Sequence, residues 1–138
     1  MANTGDVDYA AAGGNVCAIA QRRETAAFVL DGVVRDLAEI REMGFPVFAR
    51  GVIPVPGRKS AVMPLNQQVR CGGVAVNAGD IVVADEEGVV VVPCERQQEV
   101  LTQARAKLSK ETGETLDDWE RAHSASIDRM LAEHGFTL

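Results

Sequence analysis

The sequence has few of the residues that mark a secreted or membrane-bound protein. Its three cysteines, Cys17, Cys71 and Cys94, form no C-x-x-C pair and have no histidine beside them, so neither a disulfide framework nor a zinc site is predicted. Apolar runs such as Val89–Val92 are much shorter than the roughly 20 residues that cross a bilayer. The start, MANTGDVDYA, is not that of a signal peptide. These absences predict a reduced, cytoplasmic protein with no membrane partner.

Basic residues are also in the minority. The sequence has 14 Lys and Arg against 20 Asp and Glu, a formal net charge of −6, and its cations are scattered among the acids. Because binding of a phosphate backbone needs a concentrated basic surface, no nucleic-acid partner is expected. With 46% hydrophobic and 25% charged residues over 138 positions, the chain is typical of a globular protein that buries a core.

The spacing of apolar residues and of glycine and proline predicts mixed α/β structure in the first half of the chain. A loop over residues 3–14 leads into the first helix, and a proline-containing connection over residues 50–66 ends this half. Between them the pattern predicts two helices, Asn15–Arg23 and Asp36–Met43, and two strands, Ala26–Leu30 and Pro46–Ala49.

The second half divides into short strands and then helices. The predicted strands are Gln68–Cys71, Val74–Val76, Ile81–Val83 and Val89–Val92, and the predicted helices are Glu95–Lys110 and Leu116–Glu133, the second with Thr115 and Asp118 as a capping pair. We therefore expect a core over residues 1–94 and a helical extension over 95–138 that packs on the core or on a neighbouring subunit. Because the chain starts in a loop, we also expect that an N-terminal portion is missing.

The stretch Leu30–Asp36, LDGVVRD, ends a predicted strand with an arginine and an aspartate at the start of a helix. Asp36 with Glu39 has the spacing of an acidic capping box, which would satisfy free N–H groups of that helix. Capping does not explain Arg35, because a cation at a helix N-terminus opposes the helix dipole. An anion is therefore expected opposite Arg35.

Glycines precede the first predicted helix in the stretch Ala12–Val16, AGGNV. Glycines at such a position let exposed N–H groups approach a carboxylate or phosphate, although a plain turn is the commoner explanation. If the fold brings Gly14 close to Arg35, one substrate carboxylate would be held from both sides. Cys17 lies at the same helix start, but no histidine is near it in the sequence, which disfavours a nucleophilic role.

Two blocks of sequence resemble a known family. DGVVRD with the following GFPVFARG, and then GDIVVADEEGVVVVP, are similar to the RraA-like proteins and metal-dependent pyruvate aldolases. That family includes 4-hydroxy-4-methyl-2-oxoglutarate aldolases, oxaloacetate decarboxylases and the regulator of ribonuclease activity A. The resemblance runs from about Gly5 to the end of the chain. It implies an α/β fold, a swivelling β/β/α domain with C-terminal helices, that assembles as a homotrimer or hexamer.

The resemblance also implies a site and a reaction. Asp36 matches the aspartate that holds Mg²⁺ or Mn²⁺, and Arg35 matches the arginine that contacts a small 2-oxo acid substrate. The backbone around Gly14, Asn15, Val16 and Cys17 matches the carboxylate-binding loop, and Glu111 is matched to an acid that reaches the metal waters from a neighbouring subunit. The implied activity is lyase cleavage of 4-hydroxy-2-oxo acids to pyruvate through a metal-stabilised enolate, with oxaloacetate decarboxylation as a side activity.

One residue of this loop departs from the family pattern. Many aldolases carry an acid where this chain has Asn15, which can hydrogen-bond a metal-bound water but adds no negative charge. The family also contains regulators of ribonuclease activity. The alternative function is therefore a non-catalytic, protein-binding regulator on the same scaffold.

Overall fold

A computed structural model describes residues 5–58 and 64–136 of the chain. The chain forms two compact units, Met1–Glu95 and Arg96–Leu138. Among the described residues, the first contains all the strands and two helices, and the second contains two longer helices. The predicted division into a core over residues 1–94 and a helical extension over 95–138 stays a prediction.

A parallel three-stranded sheet and its two helices form the first part of unit 1. The strands lie in the order β1-β2-β3, and each of the two connections between them contains a helix, as parallel pairing requires. The elements are β1 (Ala10–Ala12), α1 (Gly14–Arg22), β2 (Phe28–Val34), α2 (Leu37–Met43) and β3 (Val47–Val52).

The sequence-based prediction is right for both helices and wrong for parts of the sheet. Ala10–Ala12 forms a strand where a loop was predicted. The prediction failed because three alanines alone do not indicate that this segment pairs with β2. β2 continues through Asp31 and Gly32, two residues that usually end strands. Its register with β3 shifts between Leu30 and Val33, which accommodates them as a bulge. Residues 3 and 4 of the predicted loop lie outside the described residues.

The core of unit 1 lies between the sheet and the two helices. Phe45 is buried and meets Phe28 edge to face, with ring centroids 5.1 Å apart, a contact that contributes about 1 kcal/mol beyond burial alone. The buried members of this cluster are Ala12, Cys17, Ala20, Leu30, Val34, Ile40 and Phe45. α1 and α2 contact each other, so the core fixes the position of each helix start.

Two antiparallel hairpins complete unit 1. They are β4 (Val69–Cys71) with β5 (Val74–Val76), and β6 (Ile81–Ala84) with β7 (Val89–Val92), close to the predicted strands. Gly72 and Gly73 both have positive φ in the first turn, which explains the glycine pair there. Residues 59–63 of the predicted connection lie outside the described residues, and its first residues belong to β3.

Unit 2 consists of α3 (Gln97–Gly113) and α4 (Leu116–Glu133). The predicted capping pair is confirmed: Thr115 Oγ1 accepts from the Asp118 N–H at 3.2 Å, and the Asp118 carboxylate accepts from the Thr115 N–H. Within the described ranges, neither these helices nor those of unit 1 combine the length and apolar character needed to span a membrane.

Candidate active site

The register of the parallel sheet brings two loops side by side. Ala12 at the end of β1 pairs with Val34 at the end of β2, so the next residues, Gly13 and Arg35, leave the sheet together. The Arg35 backbone N–H donates to the Ala12 carbonyl oxygen at 3.0 Å, which maintains this alignment. Ligands of open α/β sheets bind outside the carboxyl ends of the strands. This junction is therefore the candidate active site.

The turn formed by Gly13 and Gly14 leaves no space for a side chain. A Cβ atom on Gly13 would lie 2.5 Å from Asp36 Oδ2 and 2.9 Å from Arg35 Cγ. The Gly14 backbone N–H donates a hydrogen bond to Asp36 Oδ2 at 3.1 Å. The glycines thus let the first turn of α1 approach both charged side chains, which is the approach considered from the sequence.

Asp36 does not cap the helix that follows it, so the capping prediction is wrong. It precedes α2 with φ 60° and ψ 41°, in the left-handed region, whereas a capping residue normally has an extended backbone. Its side chain makes no capping bond to α2; it accepts from Gly14, at the start of α1. Aspartate tolerates this backbone better than most residues, but strain of this kind is concentrated at functional sites.

Arg35 lies against the carboxylate of its neighbour. Its Nη1 is 3.2 Å from Asp36 Oδ1 and 3.1 Å from Oδ2. The two side chains are 39% and 26% exposed, so solvent reaches the pair. Asp36 is therefore an anion opposite Arg35. A guanidinium has five N–H donors, which leaves donors of Arg35 for a second anion.

The first turn of α1 supplies the remaining predicted substrate contacts. Within the described part of the chain, the backbone N–H groups of Asn15 and Val16 have no acceptor, as expected for the first turn of a helix. Both residues are exposed, whereas Cys17 is fully buried. Burial, and then the charge of Asp36, raise the pKa of the Cys17 thiol. This argues against Cys17 as a nucleophile.

The donor set at this junction suits a hard divalent cation. Asp36 supplies carboxylate oxygens, and the carboxylate of Glu39 lies against Gly14. No group of three or more His, Cys, Asp or Glu side chains that could hold a metal occurs within residues 5–58 and 64–136. Mg²⁺ is usually held by one or two carboxylates, while water and substrate complete its coordination. The residues present therefore fit Mg²⁺ or Mn²⁺, but not a cage made entirely of protein ligands.

Glu111, the predicted acid from a neighbouring subunit, lies in unit 2. It is exposed on α3, and its Oε1 is 3.7 Å from Lys107 Nζ, one turn earlier on the same helix. This is a weak, solvent-screened pair that leaves the carboxylate accessible. Its role at a metal stays a prediction.

A second arginine–aspartate pair, which was not predicted from the sequence, joins β2 to β3. The Arg50 side chain donates through Nε to Asp31 Oδ1. The pair lines a cavity of about 1360 Å³ whose other walls come from β2, β3 and the two hairpins, mostly valine and alanine. No local pattern reveals such a pair, because its members are 19 residues apart.

Comparison with known proteins finds a similar aldolase-type sequence. A putative 4-hydroxy-4-methyl-2-oxoglutarate aldolase of Halalkalibacterium halodurans is 32% identical over 129 residues, which are 92% of this chain and 61% of that protein. The chain thus spans about three fifths of the length of this relative.

Solved structures show the same likeness. An uncharacterised protein from Pseudomonas syringae pv. tomato has a TM-score of 0.77 and 26% identity, covering 88% of this chain and 61% of the other. The RNA-processing inhibitor RraA of Thermus thermophilus has a TM-score of 0.62 and 29% identity, covering 67% and 56%. These matches confirm the predicted fold class. The RraA-like family model, described as Aldolase/RraA, matches residues 1–91. The chain therefore belongs to the RraA-like family.

Proposed function

We propose that this protein is a divalent-metal-dependent lyase that cleaves 4-hydroxy-2-oxo acids, of the 4-hydroxy-4-methyl-2-oxoglutarate type, to pyruvate. Oxaloacetate decarboxylation would be its side activity. The observation that carries the proposal is the approach of the Gly14 N–H to Asp36, with Arg35 on the same carboxylate. The name of the Halalkalibacterium relative supports the same reaction class.

Asp36 would hold the cation, because its carboxylate is partly exposed at the edge of the sheet. A bound Mg²⁺ or Mn²⁺ would supply Lewis-acid polarisation of the substrate's 2-oxo group. The hydrogen bond from Gly14 and the ion pair with Arg35 would hold this carboxylate in place at the junction.

Arg35 would bind the 2-oxo acid end of the substrate. Its planar guanidinium can donate two parallel hydrogen bonds to a carboxylate, and only Nη1 is engaged with Asp36. The exposed N–H groups of Asn15 and Val16 would bind the same carboxylate from the helix side. The substrate's reacting carbons would then lie beside the Arg35–Asp36 pair.

These contacts would also favour bond cleavage. When the bond between C3 and C4 breaks, the 4-hydroxyl group would give its proton to water and become the carbonyl group of the second product. The electron pair stays on the pyruvate portion, negative charge develops on the 2-oxo oxygen, and a proton from water at C3 then gives pyruvate. Arg35 is placed to stabilise that charge, and it needs little rearrangement because Asp36 already orients it. Loss of carbon dioxide from oxaloacetate leaves the same negative charge, so one site would perform both reactions.

The assembly that we propose is a homotrimer or hexamer in which Glu111 faces the site of a neighbouring subunit. Its carboxylate is exposed and only weakly paired. Native mass spectrometry should give a mass of three or six chains. A monomer that retains full activity would contradict this part of the proposal.

A second candidate is a non-catalytic protein-binding regulator, which the likeness to the Thermus RNA-processing inhibitor favours. The two candidates differ in turnover. The enzyme should release pyruvate from oxaloacetate and from 4-hydroxy-4-methyl-2-oxoglutarate when Mg²⁺ or Mn²⁺ is present, and should stop in EDTA. A folded protein that releases no more pyruvate than a metal-only control would exclude the lyase.

A further inference from the structure

Glu39, on α2, packs against the first turn of the other helix. A Cβ atom on Gly14 would overlap Glu39 Oε2 and would lie 3.2 Å from both Cβ and Cδ of that side chain. The whole length of the glutamate therefore lies along the glycine turn. Asp36 contacts the same turn through the Gly14 N–H. The two carboxylates thus meet the start of α1 at one residue.

The carboxylate of Glu39 has no hydrogen-bonding or ionic partner within the described ranges. Glu99, by contrast, accepts from Arg96 Nη2 at 2.9 Å. α1 has no acid in its own first turn, so Glu39 and Asp36 bring negative charge to it from α2 and from the residue before α2. Free N–H groups of α1 offset part of the repulsion between two neighbouring carboxylates, and a divalent cation would offset more of it.

We infer that Glu39 is a positioning residue that strengthens cation binding at Asp36. Its carboxylate would accept hydrogen bonds from water molecules of the bound cation, while its packing on Gly14 keeps the side chain in place. This inference rests on the proposed function, because it requires a cation at Asp36. Outer carboxylates of this kind typically change metal affinity about 10- to 100-fold.

Glu42 provides a matched control on the same helix. It is exposed, as Glu39 is, and in the described structure none of the side-chain atoms nearest to Gly13 or Gly14 belongs to it. Glu39→Gln and Glu42→Gln remove the same charge from α2 and keep the side-chain length. Any general effect of net charge on cation binding should therefore be equal in the two variants.

The experiment measures Mn²⁺ binding to the full chain without substrate, by electron paramagnetic resonance of free Mn²⁺. We expect Kd to rise about 10-fold in Glu39→Gln and to stay unchanged in Glu42→Gln. Glu39→Asp, which keeps the charge but shortens the side chain, should bind more tightly than Glu39→Gln. If Glu39 only packs on Gly14, the order is reversed, because Gln preserves the packing and Asp does not.

Asp36→Asn separates failure of this inference from failure of the proposed function. If Asp36→Asn abolishes Mn²⁺ binding while Glu39→Gln binds like the unmodified chain, Glu39 has no such role and the metal site stands. If Asp36→Asn binds Mn²⁺ normally, or the unmodified chain binds none, the proposed metal site fails and the role of Glu39 with it. Thermal melts of each variant verify that it is folded.

Discussion

Two arginine–aspartate pairs lie along β2, and they differ in the exposure and the hydrogen bonding of the aspartate carboxylate. Asp31 pairs with Arg50 across the β2–β3 ladder, and its side chain is 10% exposed. Asp36 pairs with Arg35 just beyond the end of β2, and its side chain is 26% exposed. The same two residue types therefore form a pair inside the sheet and a pair at the edge where the candidate active site lies.

Hydrogen bonding explains the difference. The side chain of Arg50, and then the backbone N–H of Gly72, hold the pKa of Asp31 below its ordinary value. These bonds join Asp31 to β3 and to the turn between β4 and β5, so this carboxylate stabilises the fold and has little freedom to bind anything else. Asp36 meets a helix start and an arginine with spare donors, an arrangement that can still accept a ligand.

The largest contrast is expected for the two aspartates. Asp36→Asn, which the left-handed backbone tolerates, should lower kcat/KM for pyruvate release about a thousandfold, because it removes the carboxylate that we propose holds the cation. Asp31→Asn should lower Tm more than Asp36→Asn, since Arg50 would lose its buried partner. Steady-state kinetics and thermal melts of both variants measure this. Equal effects on activity would remove the functional distinction between the pairs.

The arginines should show a smaller contrast. Arg35→Lys replaces the planar guanidinium, which can donate two parallel hydrogen bonds to a carboxylate, by a compact ammonium group. We expect kcat/KM to fall about 10- to 100-fold. Arg50→Lys should keep kcat/KM within a few-fold and lower Tm, because the Nε donor to Asp31 is lost. The measurement is kcat/KM for pyruvate release at saturating Mg²⁺, made on both arginine variants and on the unmodified chain. An unchanged efficiency for Arg35→Lys would rule out two-pronged substrate contact.

A glycine beside each pair gives a third and smaller contrast. A methyl group on Gly13 would lie 2.5 Å from Asp36 Oδ2, whereas one on Gly51 would meet only Val33 Cγ1 at 3.7 Å. Gly13→Ala should therefore displace Asp36 and lower kcat/KM about 10-fold. Gly51→Ala should leave kinetics unchanged. If Gly13→Ala has normal kinetics, the closeness of the glycine turn is not needed for catalysis.

The smallest effect concerns stability at low pH. Because the pKa of Asp31 is lowered in the folded protein from its ordinary value of 3.8, the unfolded chain binds more protons near that pH. The stabilisation is complete above the unfolded value and is lost as pH falls towards the lower folded value. The difference in Tm between the unmodified chain and Asp31→Asn should therefore narrow below about pH 4. A difference that stays constant there would show that the pair is not the source of the stability.

Features that depend on neighbouring residues were predictable from the sequence. The glycines of the β4–β5 turn and the capping box of Thr115 and Asp118 belong to this class, because each turn or helix start selects its own residues. The closeness of Gly14 to Arg35 was a condition of the predicted site and was not itself predicted. The pairing of Ala12 with Val34 meets that condition. Pairing between strands that are distant in the sequence cannot be recognised from either segment alone.

The failed predictions have the same origin. Asp36 and Glu39 have the spacing of a capping box, and only the approach of α1 turns both side chains to Gly14 instead. β1 was predicted as a loop, because three alanines favour a strand only when a partner strand is present. Local chemistry thus singled out the charged residues of the candidate site, and the tertiary fold decided what they contact.

The bond between Gly14 and Asp36 joins residues 22 positions apart, so the two halves of the junction meet only when the chain is folded. A molecule that binds across this junction binds the folded state and not the unfolded chain, and mass action then raises the melting temperature with its concentration. Simple melting curves recorded over a series of small acids and metal ions can therefore rank ligands before any turnover is measured.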